Sequence, residues 1–139
     1  MTIDLASIQT ALEVEIASWW PTNGDTLIKY ENTNYAPVLD DTNPILLDYM
    51  VVFDDNLKIE YGGCGAVNVL GMIVGVFDSR KGYGSGATLR KAEILNNHYS
   101  QKIISSKVHF MQGKIIKVGE INERYRIIVT APFNEVQEP

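Results

Sequence analysis

Two long extended runs, Leu46–Tyr61 and Ala66–Arg80, stand on either side of Gly62-Gly63-Cys64-Gly65 in the middle of the chain. Glycines between two such runs read as a turn, so the runs are expected to pair as antiparallel strands. Asp54-Asp55-Asn56 interrupts the first run and predicts a bulge or a tight turn there. The longest apolar stretch, Ala66–Phe77, is broken by Asn68, Gly71 and Gly75 and falls well short of the ~20 residues that a membrane helix needs. It predicts buried strand, not a bilayer span.

Helical periodicity flanks this centre. Leu5, Ile8, Leu12, Ile16 and Trp19 recur at spacings of three and four, which predicts a helix over Thr2–Trp19 with Asp4 in its first turn and Pro21, Asn23 and Gly24 as its stop. Thr26–Glu31 alternates as a strand, and Asn32–Pro44, with Pro37 and Pro44, reads as an ordered loop or extended arm. A second helix is expected over Ala87–Gln101, capped by Ser85, with Leu89, Ala92, Leu95 and Tyr99 facing inward. Lys107–Met111, Lys114–Ile121 and Glu123–Ala131 are rich in β-branched and aromatic residues and read as a closing antiparallel set. Beyond Phe133 a loose polar tail, 134–139, is expected. The order predicts one α+β domain over 1–139, a mostly antiparallel or mixed sheet packed against two helices.

Composition narrows the function. At 139 residues, 45% apolar and 21% charged, the chain is sized and composed for a single globular domain. Its net charge of -5 argues against a surface that neutralises many phosphates, although an acidic wall lets nucleic acid pass without holding it. Cys64 is the only cysteine, which excludes an intrachain disulfide and a zinc site built on several thiolates. The early residues Met1-Thr2-Ile3-Asp4-Leu5 carry no basic export signal, and synthesis in a reducing cytoplasm is expected.

Catalytic motifs are poorly represented. Gly82, Gly84 and Ala87 satisfy G-x-G-x-x-A between an expected strand and helix, but Asp78-Ser79-Arg80-Lys81 separates them from the apolar strand and no acidic partner follows at the usual distance. A flexible strand-to-helix connection is the simpler reading, with a small-ligand or nucleotide-binding module as the alternative from a different class. No Gly-Lys-Ser/Thr follows the glycines, and neither His98 nor His109 has a second ligand at helical zinc spacing. Cys64 has no histidine near it in sequence, and Asp40-Asp41 and Asp54-Asp55 do not extend into a calcium loop. Adjacent indoles at Trp19-Trp20 cannot both face inward; one is expected in the core, and the other is expected to cover the arm or to meet a subunit. With Tyr30, Tyr35, Tyr49 and Tyr61, aromatic surface candidates outnumber catalytic ones, which favours assembly over chemistry.

The arrangement of the N-terminal helix Ile3–Trp19, the segment Ile28-Lys-Tyr-Glu-Asn-Thr-Asn-Tyr-Ala-Pro37, the stretch Gly75-Val-Phe-Asp-Ser-Arg-Lys-Gly-Tyr-Gly-Ser-Gly86 with its following helix, and the closing strand Glu123–Phe133 resembles the tail terminator proteins of long-tailed bacteriophages. The resemblance runs from Ile3 to about Phe133. It implies a ring, typically of six subunits, that caps the head-proximal end of the tail tube, stops addition of tube protein and forms the joint to a neck or head-completion protein. It implies DNA passing through the lumen without specific binding, a place in the virion, no membrane, no catalysis and no cofactor. Another neck or tail-completion ring subunit is the nearest alternative.

A closed ring needs heterologous contacts, for which an arm such as Asn32–Pro44 is suited. The residues expected at subunit or partner interfaces are Trp20, Tyr35, Pro37, Asp54, Asp55, Arg80 and Lys81. Leu46–Arg80 is expected to project as a hairpin with its tip at Gly62–Gly65.

Overall fold

The computed structural model describes residues 3–54, 59–61 and 66–137. In chain order these form α1 (Leu5–Asn23), β1 (Leu27–Tyr30), β2 (Ile45–Phe53), β3 (Ile59–Tyr61), β4 (Ala66–Arg80), α2 (Ser85–Tyr99), β5 (Ile103–Ile104), β6 (Val108–Phe110), β7 (Lys114–Ile121) and β8 (Arg124–Gln137). The strands make one mixed sheet in the order β1-β2-β4-β8-β6-β5, with β3 added to β4 and β7 to β8. The fold is α+β, with the sheet packed against two helices, as the sequence predicts.

β4 runs antiparallel to β2 from Gly71 to Ser79, and to β8 from Val67 to Arg80. A strand registered on both sides puts alternate residues of three strands on one face. Leu47, Phe77 and Ile127 form one row of that face, Tyr49, Gly75 and Val129 the next, and Val51, Ile73 and Ala131 a third. All of the side chains in these rows are buried, and α1 and α2 cover them.

α2 lies close to the sheet because Gly75 has no side chain. A Cβ there would stand 2.6 Å from Leu95 Cδ2 and 3.0 Å from Leu47 Cδ1, so the leucines occupy the space a larger residue would take. Beside them Tyr49, expected at the surface, is fully buried because its row faces the helices, and its hydroxyl and that of Tyr99 hydrogen-bond to each other at 2.9 Å. Burial pushes both phenols well above their ordinary pKa, so each hydroxyl keeps its proton and both can share one bond.

α1 departs from the predicted helix at both ends. Asp4 is its N-cap, accepting from the Ser7 backbone N–H at 3.1 Å and the Ser7 hydroxyl at 2.6 Å, so the helix begins at Leu5. Pro21 does not end it. At the exposed side of the last turn proline removes a single backbone donor, and the helix continues to Asn23, whose amide donates to the Trp19 carbonyl at 2.8 Å. The extra turn carries the buried stripe from Ile8, Leu12 and Ile16 to Trp20, whose indole N–H donates to Thr26 Oγ1 at 3.0 Å. Gly24 follows because a Cβ there would lie 2.1 Å from the Trp20 ring.

Two further expectations change. Ser85 is the first residue of α2, and Gly84, at φ 101°, holds the cap position without a side-chain bond. Residues 134–137 are no loose tail: β8 continues to Gln137, pairing Leu70 to Val67 of β4 with Asn134 to Gln137. Polar side chains do not weaken a ladder made by the backbone, and Gln137 locks its end with two 2.9 Å bonds, one accepted from the Asp4 N–H and one donated to the Asp4 carbonyl. The expected turn at Gly62–Gly65 lies outside the described residues; β2 and β3 both pair with β4, antiparallel as expected.

The tyrosine pair makes a direct test. Tyr99→Phe leaves the Tyr49 hydroxyl buried without a partner and should cost about 1–3 kcal/mol in urea denaturation. Replacing both tyrosines with Phe removes the orphan and should recover most of that loss.

Candidate functional site

The expected interface residues separate into three places. Trp20 is fully buried against Phe77, with ring centroids 5.7 Å apart, so the indole proposed for a partner is the core one. Trp19 is the half-buried neighbour, and it stacks on His98 of α2 at 3.6 Å between centroids. His98 also meets the Glu15 carboxylate, and Lys91 Nζ donates to the Gly24 carbonyl at 2.6 Å. These contacts tie α2 to α1 and its end, which is why His98 is a structural polar residue here. The sequence stripe pointed to Trp19 because it ended the helix one turn early.

Tyr35 and Pro37 lie in the connection 31–44, which has no regular secondary structure. β1 and β2 are parallel neighbours, Leu27 beside Leu46, so this connection has to return the chain to the start of the pair. That return covers about 13 Å, whereas a chain of this length reaches several times as far. The slack leaves Tyr35 44% and Val38 79% exposed. Both ends of the segment are tethered: Glu31 Oε1 accepts from the Val51 N–H at 3.0 Å and the Thr33 hydroxyl donates to the Tyr30 carbonyl at 2.9 Å, while Asp40 Oδ1 accepts from the Thr42 and Asn43 N–H groups at 2.9 and 2.8 Å and the Pro44 carbonyl accepts from the Arg80 N–H at 3.0 Å.

Arg80 and Lys81 close β4 at the same end of the sheet. Arg80 pairs with Asp41 at 2.7 Å and lies over the Tyr83 ring, 5.9 Å from its centroid, while Lys81 reaches Glu123 at 3.2 Å. Next to them, and not anticipated from sequence, Arg126 grips Asp78 with two bonds of 2.8 and 3.0 Å, and Arg124 approaches the same carboxylate at 3.7 Å. The carboxylate holds the Arg126 guanidinium pKa above its ordinary value. The signal was available: an aspartate ends an apolar run, and Arg124-Tyr125-Arg126 alternates, so register alone brings the acid and the bases to one face. Asp54 is exposed at the end of β2, its N–H donating to the Leu70 carbonyl at 3.0 Å; Asp55 lies outside the described residues.

The face of the sheet opposite the helices is the larger feature. Its central rows read Val52, Met72, Pro132; then Met50, Val74, Thr130, Lys114; then Asp48, Val76, Ile128, Ile116. Most of these side chains are apolar, yet among the described residues no helix covers them, and Val52, Met72 and Ile116 are 42%, 37% and 47% exposed. At its edge Val52, Asp54, Leu70, Met72, Met111 and Pro132 line an apolar depression of about 250 Å³. Strands apolar on both faces are the mark of a sheet covered on both sides, and here the described residues cover only one.

The Gly82–Gly86 connection does not sit in a dinucleotide-binding context. β4 is antiparallel to β2 and β8, so the strand before the glycines opens no parallel βαβ unit. Gly82 and Gly84 take positive φ, 82° and 101°, and a Cβ on either would meet nothing within 4 Å. Among the described residues, no group of three or more His, Cys, Asp or Glu side chains is placed to hold a metal ion, and no helix is long and apolar enough to cross a membrane.

No protein-family model matches the chain, and no curated protein matches it in sequence. A solved structure shares the fold: it aligns over 99% of both chains with a TM-score of 0.70 at 13% sequence identity, one of eight solved chains that match. That likeness carries the architecture.

The two ion pairs at the charged end differ in burial and should differ in worth. Asp78 is 9% exposed as a side chain and Asp41 91%. Asp78→Ala sets two arginines side by side without their acid and should destabilise the fold by about 1–3 kcal/mol in urea denaturation. Asp41→Ala should cost under about 1 kcal/mol.

Proposed function

We propose that this chain is a structural assembly subunit, a tail-terminator-like protein of a long-tailed bacteriophage. It acts as a ring protomer without catalysis or cofactor. The observation that carries the reading is the uncovered apolar sheet face of β2, β4, β8 and β7, a surface that supports burial against another subunit or an adjoining ring. The slack connection 31–44, which presents Tyr35 and Val38 to solvent, supports it as a contact made outside the protomer's own core. The sequence resemblance supplies the specific identity: six subunits capping the head-proximal end of the tail tube, with tube protein on one side, a neck or head-completion protein on the other, and DNA passing through.

The chain's net charge of -5 suits a lumen that DNA crosses without adhering. The proposed location is the virion, after synthesis in the host cytoplasm. Function then lies in shape: the ring closes, one face ends tube growth, and the other receives the neck.

Light scattering across a concentration series tests the reading. Six copies of a 15.5 kDa chain make a ring of about 93 kDa, and a protein that stays monomeric or dimeric at every concentration would overturn it. Tyr35→Ala should leave the melting temperature within about 2 °C of the parent, because the ring is exposed, yet lower the assembled fraction. An assembled fraction equal to the parent's would remove the connection from the interface.

A further inference from the structure

The sheet has two open margins, and they differ in chemistry. β1 pairs only with β2 and β7 only with β8 among the described residues, so β1 and β7 are edge strands on opposite sides of the β2-β4-β8 centre. Beside β1, a shallow groove is lined by Thr10, Glu13, Val14 and Ala17 of α1 with Tyr30 and Glu31. Its floor is apolar, Val14 is 64% exposed, and neither glutamate has an ion-pair partner among the described residues. Burial first, and then the neighbouring Glu31 carboxylate, raise the pKa of Glu13, with a side-chain hydrogen bond to Gln9 opposing them.

The β7 margin is the complement. Lys114, on the uncovered face with Ile116, and Lys117, on the other face opposite Ile127, are exposed along the strand edge and without ion-pair partners among the described residues, and Ile116 and Val118 are 47% and 42% exposed. A bulge separates Lys117 from Gly119. Lysines and bulges also protect an edge against indiscriminate pairing. Protection does not call for exposed isoleucine and valine among the lysines. A basic and apolar margin facing an acidic and apolar one is the pattern of a selective contact.

We propose that the β7 margin of one copy seats against the α1–β1 groove of a second copy, Lys114 and Lys117 meeting Glu13 and Glu31 while Ile116 and Val118 cover Val14 and Ala17. The two surfaces are different and lie on opposite sides of the protomer. Each copy therefore offers one of each to its neighbours, and repetition of this head-to-tail contact closes a ring if its rotation is right. This rests on the ring reading above and names the surfaces that would make it.

Charge exchange tests it by light scattering, with circular dichroism melting as the control for folding. Glu13→Lys with Glu31→Gln keeps an acceptor at position 31 for the Val51 N–H, which Glu31 bonds at 3.0 Å, and should reduce the assembly to the monomer. Lys114→Glu with Lys117→Glu should do the same. Mixed in equal amounts, the two variants offer each other matched margins all round the ring, and the mass should return to that of the parent. Val118→Glu, at an exposed position, is the second probe and should also yield folded monomers. Variants that keep the parent's assembled mass would overturn this contact while leaving the ring to another surface. Loss of assembly in both variants without recovery on mixing would overturn the pairing. A parent protein that is monomeric at every concentration would overturn both the contact and the ring.

Discussion

The ladder between β4 and β8 is the constraint on which the rest depends. It holds Val67 through Arg80 against Gln137 through Arg124, and on its other margin β4 also carries β2 and β3. Because successive residues of a strand face opposite ways, one register decides what every row of the sheet shows to each side. A slip of β8 by one residue against β4 would bring Arg126 under the helices and turn Ile127 outward. The hydrophobic effect penalises both changes, so the long ladder has one acceptable alignment.

Fixing that register makes the two faces unequal. On one, Gly75 admits Leu95, Trp20 meets Phe77, and two helices joined through Trp19, His98 and Glu15 complete a dry core. On the other, the apolar rows stop at solvent, bounded at one end by Asp78 with Arg124 and Arg126. A sheet apolar on both sides but covered on one leaves apolar surface in water, and that surface supports the proposed burial against a partner. The same topology sets an acidic margin at β1 and a basic one at β7, because the strands at the two ends of a sheet cannot meet within one open protomer.

Much of the architecture was legible along the chain. Period in the two helices, the glycine-separated strands and the β-branched closing set gave the α+β layout, and β7 lies where its residues predict. The misreadings have separate physical causes. Pro21 reads as a stop, but its ring is exposed and the loss of one N–H donor does not bar the two helical residues after it, and the added turn exchanges the roles of Trp19 and Trp20. The polar residues after Phe133 suggest a tail, but main-chain groups make a ladder whatever side chains they carry. Of the expected interface residues, Tyr35 is exposed as foreseen, Arg80 and Lys81 hold the charged end together, and Trp20 belongs to the core.

The sequence by itself determined which segments would be helix or strand, that no set of cysteines would fasten them, and that the chain would be acidic. Those are properties of neighbouring residues and of sums, and they need no knowledge of distant contacts. Only the tertiary structure decided that β1 and β2 run parallel, that Asp78 meets Arg124 and Arg126, and that Glu13 with Glu31 stands on the margin opposite Lys114 and Lys117. These depend on which strands become neighbours. That choice is made by the fit of whole faces in the folded chain, where local periodicity has nothing to say.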